Sequence, residues 1–260
     1  MPQTGSDTAT TMVTHRPHPS LRGLVRRTGG FTERQGGPQH RRELPFGGVP
    51  IILSFGDRVR ISSATGSGEY TSFLAGVHEI PVDTSHDGSL RCIQVDLSPL
   101  GAYQLLGLPM SELHDTVAPL DALDGARWRD LGDRLAELPS WSARFELVDD
   151  TLCRAAADGR TADPEVRWAW RRLVASHGTA PIGPLAAEVG WSRRHFAARF
   201  RCQVGLAPKP AAQVLRFAHA HALLTAPGAG SISDVAAAAG YADHSHLTRE
   251  FRRLAGTTPS

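Results

Sequence analysis

A segment of about fifty residues occurs twice in the last third of this 260-residue chain, and that duplication restricts its fold more than any other feature. Ile182, Leu185, Ala186, Ala187, Gly190 and Trp191 return fifty positions later as Ile232, Val235, Ala236, Ala237, Gly240 and Tyr241. Phe196, Phe200, Gly205 and Pro208 return fifty-one positions later as Leu247, Phe251, Gly256 and Pro259, so one inserted residue separates the two offsets. Each copy predicts a helix with small residues at its centre, a glycine turn, a second helix with bulky apolar residues four apart, and a Gly/Pro stop. Two helices cross closely through a short turn only where the crossing is small and one turn residue tolerates unusual dihedrals. Ala186 with Gly190, and Ala236 with Gly240, meet both demands, which makes Gly190 and Gly240 the structural turn residues.

In each second helix the apolar pair, Phe196/Phe200 or Leu247/Phe251, faces the core and leaves the opposite side free of packing constraints. That side carries Arg193, Arg194, Ala197, Ala198 and Arg201 in the first copy, and His244, Ser245, Thr248, Arg249 and Arg252 in the second. Arg, Ser, Thr and His suit phosphates and base edges in a major groove. Residues 164–260 hold twelve basic against five acidic residues, a charge of +7, whereas residues 1–163 carry −5. A basic block of this kind points to a polyanionic partner. A single such unit reads equally well as a packed α-hairpin with a solvated face; two copies inside one basic block favour tandem helix-turn-helix units. Between them Val214, Phe217, Ala218, His221, Leu224 and Thr225 recur at helical spacing, predicting one continuous helix over Lys209–Thr225. Seventeen residues span roughly 25 Å, the scale that sets two reading helices about one DNA turn apart.

These segments resemble the AraC/XylS family of transcription regulators. The resemblance rests on IGPLAAEVGWSRRHFAARFRCQVGLAP at 182–208, RFAHAHALL at 216–224 and ISDVAAAAGYADHSHLTREFRRLAGTTP at 232–259. It implies a sequence-specific, non-enzymatic DNA-binding regulator whose two units address successive major-groove segments. Carried over residue by residue, base-edge positions fall on Arg194, Ala197 and Ala198, then on His244, Ser245, His246, Thr248 and Arg249. Arg193, Arg201, Arg252 and Arg253 fall near the DNA backbone. The two alanines depart from polar readout and leave only methyl contact with thymine. Family members usually continue past the final proline into a short helix with a Tyr-Arg pair, whereas this sequence stops at Ser260.

The first half reads differently. Runs at Val49–Phe55, Arg58–Ser62, Phe73–His78 and Leu90–Leu97, separated by Gly, Asp and Ser clusters, predict short strands, with Gly66–Gly68 as a hairpin loop. Helices are predicted at Pro99–Leu106, Ala126–Leu138 and, behind the N-cap Ser140, Trp141–Ala157. The expected fold is therefore α+β in two domains, a β-rich, barrel-like N-terminal domain with trailing helices and then an all-α tandem helix-turn-helix domain. Residues 1–20 read as a disordered tail, 21–157 as the effector or dimerisation domain, 158–163 as a linker and 164–260 as the DNA-binding domain. The segments at 42–57 and 76–113 resemble the β-rich sensor half of an actinobacterial subgroup. A ligand cavity and a fully packed domain used for dimerisation or interaction remain alternatives for this half.

At 41% hydrophobic and 21% charged the composition is that of a soluble globular protein. With no long apolar run and no apolar core in its first twenty residues, neither a membrane span nor a secretory signal is expected, which makes the cytoplasm, at the nucleoid, the expected compartment. Cys92, Cys153 and Cys202 are too far apart for CxxC chemistry and read as small buried hydrophobes. His219/His221 and His244/His246 stand two apart on helices and point about 200° away from each other. His40, His78 and His86 occur singly and read as structural or surface groups, so no metal or cofactor is expected. A DNA-repair methyltransferase fusion would need clustered zinc-binding cysteines, and a non-DNA-binding interaction protein with a degenerate module is the third reading. Expected partners are double-stranded promoter or operator DNA, with RNA polymerase, a small-molecule effector and a second copy of the chain as further candidates.

Overall fold

The computed structural model describes residues 9–64 and 66–259. Its organising strand is Ser89–Leu97, in which Leu90, Cys92, Ile93, Val95 and Leu97 are all buried. A strand buried on both faces must lie inside a layered structure. Numbering in chain order, the strands are β1 (Ala9–His15), β2 (Val25–Arg34), β3 (Gln39–Glu43), β4 (Val49–Ser54), β5 (Val59–Ser63), β6 (Gly66–Tyr70), β7 (Ser72–Ala75), β8 (Val82–His86), β9 (Ser89–Leu97) and β10 (Val117–Pro119). One antiparallel sheet runs β1-β2-β9-β4-β7-β10 and the other β3-β8-β5-β6. Parity divides the core. Leu90 and Cys92 pack with Val59, Ile61, Phe73 and Val82 between the sheets, while Ile93, Val95 and Leu97 join Ile51, Leu53 and Leu74 in the larger core shared with the helices.

The barrel-like expectation is corrected by this topology. Among the described residues no strand pair joins the two sheets, so they face each other as an open sandwich with β1, β10, β3 and β6 as edges. The tail expected at 1–20 is also corrected for its second half, residues 1–8 lying outside the described residues. Ala9–His15 pairs along its whole length with β2 as Ala9↔Arg34 through His15↔Thr28. Its far end is pinned because His15 stacks on Phe145 at 4.5 Å and bonds Asp149 through Nε2 at 2.9 Å. Gly66–Gly68, expected as a loop, opens β6 opposite Ser63.

The helices are α1 (Pro99–Leu106), α2 (Leu131–Glu137), α3 (Trp141–Asp158), α4 (Pro164–Ala175), α5 (Ile182–Glu188), α6 (Arg193–Val204), α7 (Pro208–Thr225), α8 (Ile232–Ala238) and α9 (His244–Ala255). Ser140 caps α3 by accepting from the Ala143 amide, and Phe145, Val148, Leu152 and Ala155 form its buried stripe. Predicted Ala126–Leu138 is helical only from Leu131, behind Asp130 in a left-handed conformation (φ 55°) that interrupts the helical turn. Gly30 explains a glycine inside β2: a Cβ there would stand 2.3 Å from the Trp141 ring, so only a bare backbone lets α3 lie on the sheet. Between α3 and α4 the chain has no regular structure, and Asp163 at its end receives two bonds from Arg199 of α6, at 2.7 and 2.9 Å. The main apolar core runs without a break from Val95 to Phe251.

Candidate nucleic-acid interface

Each repeat folds as two helices across a glycine turn: α5 and α6 around Gly190 (φ 70°), α8 and α9 around Gly240 (φ 75°). Only glycine enters that left-handed region without steric cost. Caps set where the second helices begin. Ser192 accepts from the His195 amide at 3.2 Å and Asp243 from the His246 amide at 2.7 Å, a bond that holds the Asp243 carboxyl below its ordinary range. A ring contact repeats with the sequence. His195 meets Trp191 edge-on at 4.6 Å, and His246 meets Tyr241 edge-on at 5.2 Å.

Phe196, Phe200, Leu247 and Phe251 are buried, so each second helix turns its other face outward. Arg193, Arg194, Ala198 and Arg201 are exposed on α6, with Ala197 half-buried; His244, Ser245, Arg249 and Arg252 are exposed on α9. The structure brings together on each helix the residues that the resemblance pairs with bases or backbone. Two positions are partly committed elsewhere. His246 is half-buried against Tyr241, and the Thr248 hydroxyl donates to the His244 carbonyl at 2.8 Å, which leaves its lone pairs free to accept. Arg253, expected on the DNA backbone, is exposed and has Nη1 3.4 Å from Glu79 Oε1 of the β-rich half. The second unit closes over a buried polar cluster in which Glu250 lies beside Tyr241 and the Arg216 guanidinium sits 5.3 Å from the Tyr241 ring centre. Burial raises the Tyr241 phenol, so it stays protonated.

The β-rich half holds a second candidate site, a cavity of about 360 Å³ between the sheets, within the usual range for small-molecule sites. Its wall is mostly apolar, with Phe31, Val59, Ile61 and Phe73 among its residues. Strand register brings Glu33 to one end, paired with Leu90, where Glu33 accepts from Arg41 Nη2 at 2.6 Å and faces His86 Nε2 at 3.2 Å. His78 lines the cavity beyond the opposite end of β8. Both histidines, expected as structural or surface groups, are 8% exposed and line this space. Their isolation in sequence hid them; the available signal was Glu33, a charge on the same strand parity as Phe31. Cys92 also lines the cavity, and burial pushes its thiol up to about 12, which leaves it protonated and unreactive at neutral pH. Cys153 and Cys202 are half-buried rather than buried. Among the described residues no group of three or more His, Cys, Asp or Glu could hold a metal ion.

Comparison with known proteins agrees with this division. Residues 185–260 match the helix-turn-helix domain family, and residues 13–119 match a domain family of unknown function, DUF6597. No protein of curated function matches the chain in sequence. Among solved structures, ToxT from Vibrio cholerae superposes with a TM-score of 0.50 at 14% identity, over 91% of this chain and 97% of ToxT. ToxT from Vibrio cholerae O395 bound to (E)-4-(8-methylnaphthalen-1-yl)but-3-enoic acid gives the same values. A looser likeness, TM-score 0.35 at 14% identity, links 77% of this chain with 78% of the AraC-like transcriptional activator CuxR. The ToxT likeness establishes a common two-domain fold, β-rich first and helical second.

Proposed function

We propose that this chain is a DNA-binding transcription regulator whose helix-turn-helix domain, matched at residues 185–260, is of the AraC/XylS type, that both of its units read DNA and that the inter-sheet cavity controls them. Base edges would be met by Arg194, Ala197 and Ala198 in one groove segment and by His244, Ser245, Thr248 and Arg249 in the next, with His246 at the margin. Arg193, Arg201 and Arg252 would neutralise phosphates. The observation that carries this reading is the duplicated geometry: two capped helices, each behind a left-handed glycine, with arginines on the exposed face of both.

The α7 helix supports a fixed spacing. It is continuous over Pro208–Thr225, eighteen residues, or roughly 27 Å, which with the width of the units approaches one turn of DNA. One molecule would then protect two major-groove segments on one face and read an asymmetric sequence. Footprinting of the full chain tests this. A five-base-pair insertion between the two segments should abolish high-affinity binding, because it turns one segment to the far side; tolerance of the insertion would leave only one unit in contact.

Small-molecule control is supported by the cavity and by the ToxT structure solved with an arylbutenoic acid. A route between sites exists in covalent sequence: His78 lines the cavity and the next residue, Glu79, holds Arg253 of α9. In this reading the protein acts without catalysis, in the cytoplasm and at the nucleoid. Among the described residues no helix is long and apolar enough to cross a membrane.

A further inference from the structure

A sheet edge exposes a row of backbone amides and carbonyls that another strand can take up, and proteins guard such edges with charge, glycine, proline or shortness. Three of the four edges of this sandwich are guarded. Strand β10 is three residues long and ends in Pro119, while β6 has Gly66 and Gly68 among its five residues and carries Glu69. Strand β3 carries Arg41 and Arg42, so a second copy paired about its midpoint would set Arg41 against itself.

Strand β1 has none of these devices. Ala9–His15 is seven residues of Ala, Thr, Met, Val and His, without proline, glycine, acid, lysine or arginine. Its register with β2 is unbroken from Ala9↔Arg34 to His15↔Thr28, so no bulge twists the edge away. Among the described residues no other strand pairs with β1, and its backbone makes no loop or turn bond on its outer side. Met12, at its centre, is 60% exposed, more than any other large apolar side chain among the described residues. The register sets Met12 opposite Phe31, on the cavity side of the sheet, where both line the inter-sheet space.

We propose that β1 is a dimerisation edge, along which two copies of this chain pair antiparallel and join their six-stranded sheets into one. Residues directly opposite in an antiparallel pair share a face, so a symmetric register places one residue against its own copy. Overlap of the whole strand is reached only with Met12 on the two-fold axis. Thr10 then faces Thr14 of the second copy and Thr11 faces Val13, pairs that suit a sheet, and no like charges are opposed. The two Met12 side chains cover each other, and the second copy thereby adds to the cavity wall. One strand pair is a small interface, which makes the dimer weak and reversible. The proposal does not depend on what the helical domain binds.

Sedimentation velocity of the full-length protein tests it. Between about 1 and about 100 µM the chain should pass reversibly from monomer to dimer. Met12→Lys, at a position exposed enough to accept the charge in the single chain, sets two ammonium groups on the axis and should weaken the dimer by about tenfold. Disulfide capture reads the register. Opposed Cα atoms stand about 4.5–5.5 Å apart, within disulfide reach, so Met12→Cys should give a covalent dimer on mild oxidation. Thr10→Cys, which faces Thr14 of the second copy, should give no more than the unmodified chain with its three native cysteines. Should Met12→Lys fail to fold, the two capture variants decide alone. A monomer throughout that range, a dimer indifferent to Met12→Lys, or equal capture at both positions overturns the proposal.

Discussion

Arg253, in the last turn of α9, reaches back to Glu79 in the β-rich half, Nη1 to Oε1 at 3.4 Å, while the Glu79 amide donates to the Asp115 carboxylate at 3.0 Å and its carboxylate lies 3.4 Å from His114 Nε2. A cation expected to serve DNA thus has a protein partner in the absence of DNA. In Glu79→Gln the Arg253 side chain is free for a phosphate, so full-length DNA affinity should rise severalfold and the log-log salt slope should steepen by up to about 0.9. An unchanged slope in gel-shift titrations would mean that Arg253 does not contact DNA.

Base reading should separate from backbone contact. Arg194→Ala and Arg249→Ala should each cost roughly 1–3 kcal/mol at the cognate site and relax preference at one or two positions of the selected motif. Arg201→Ala and Arg252→Ala should instead weaken cognate and random DNA alike, each lowering the salt slope by about 0.9. In vitro selection returning an identical motif for the Arg194 variant would remove that residue from the readers.

The two turn glycines should not be equivalent. A Cβ at Gly190 meets open space, whereas one at Gly240 would stand 2.5 Å from Thr179 Cγ2. Both alanine variants bear the left-handed cost of about 1–2 kcal/mol, and Gly240→Ala adds an overpacking cost of about 1 kcal/mol or more. Calorimetry should therefore show the larger fall in Tm for Gly240→Ala. Adding Thr179→Ala, which deletes Cγ2, should recover most of the excess.

Acid should loosen the junction before α4. Arg199 lowers the Asp163 carboxyl, and the Gln203 carbonyl oxygen accepts from the Asp163 amide at 2.8 Å. Because the folded value is depressed, the contribution is complete above the unfolded value of about 3.9 and is lost as pH falls through the folded one. Asp163→Asn should cost about 1 kcal/mol at neutral pH, as expected of a partly exposed pair, and the difference from the unmodified chain should close in denaturant melts below about pH 4.

What the sequence discloses follows how local the determining physics is. The repeat was legible because a glycine, a cap and an i, i+4 apolar pair lie within one short window, and α7 because prolines bound it. Strands β1, β2, β3 and β8 were not legible: Thr-Thr-Met-Val-Thr and Arg-Arg-Thr-Gly-Gly lack a strong alternation, and these strands are specified by partners far along the chain, as in Phe31↔Cys92 and Arg41↔Thr84. Glu33 and His86 meet only through that pairing. The helix expected from Ala126 starts late because Asp130 breaks the turn, which no periodicity reveals.

Near-identical in pattern, the two units are unequal in mechanical standing. The α6 helix packs against α1 and the short turn at Met110–Leu113, and Gly205 at its end is so close to the Met110 carbonyl that a Cβ would lie 3.2 Å away. The α9 helix has α7 and α8 as its principal neighbours and meets the β-rich half at its periphery, through Arg253 and through Gly256 at its end, which lies beside Arg42 and Pro81. The first copy is thus a fulcrum, bedded in the same apolar mass as the sandwich, and the second is an arm carried on α7. Rearrangement in the sandwich would reach the fulcrum as pressure between packed side chains and the arm through a few peripheral contacts, the Arg253–Glu79 pair among them, so a single event there would change the two grips on DNA by different amounts.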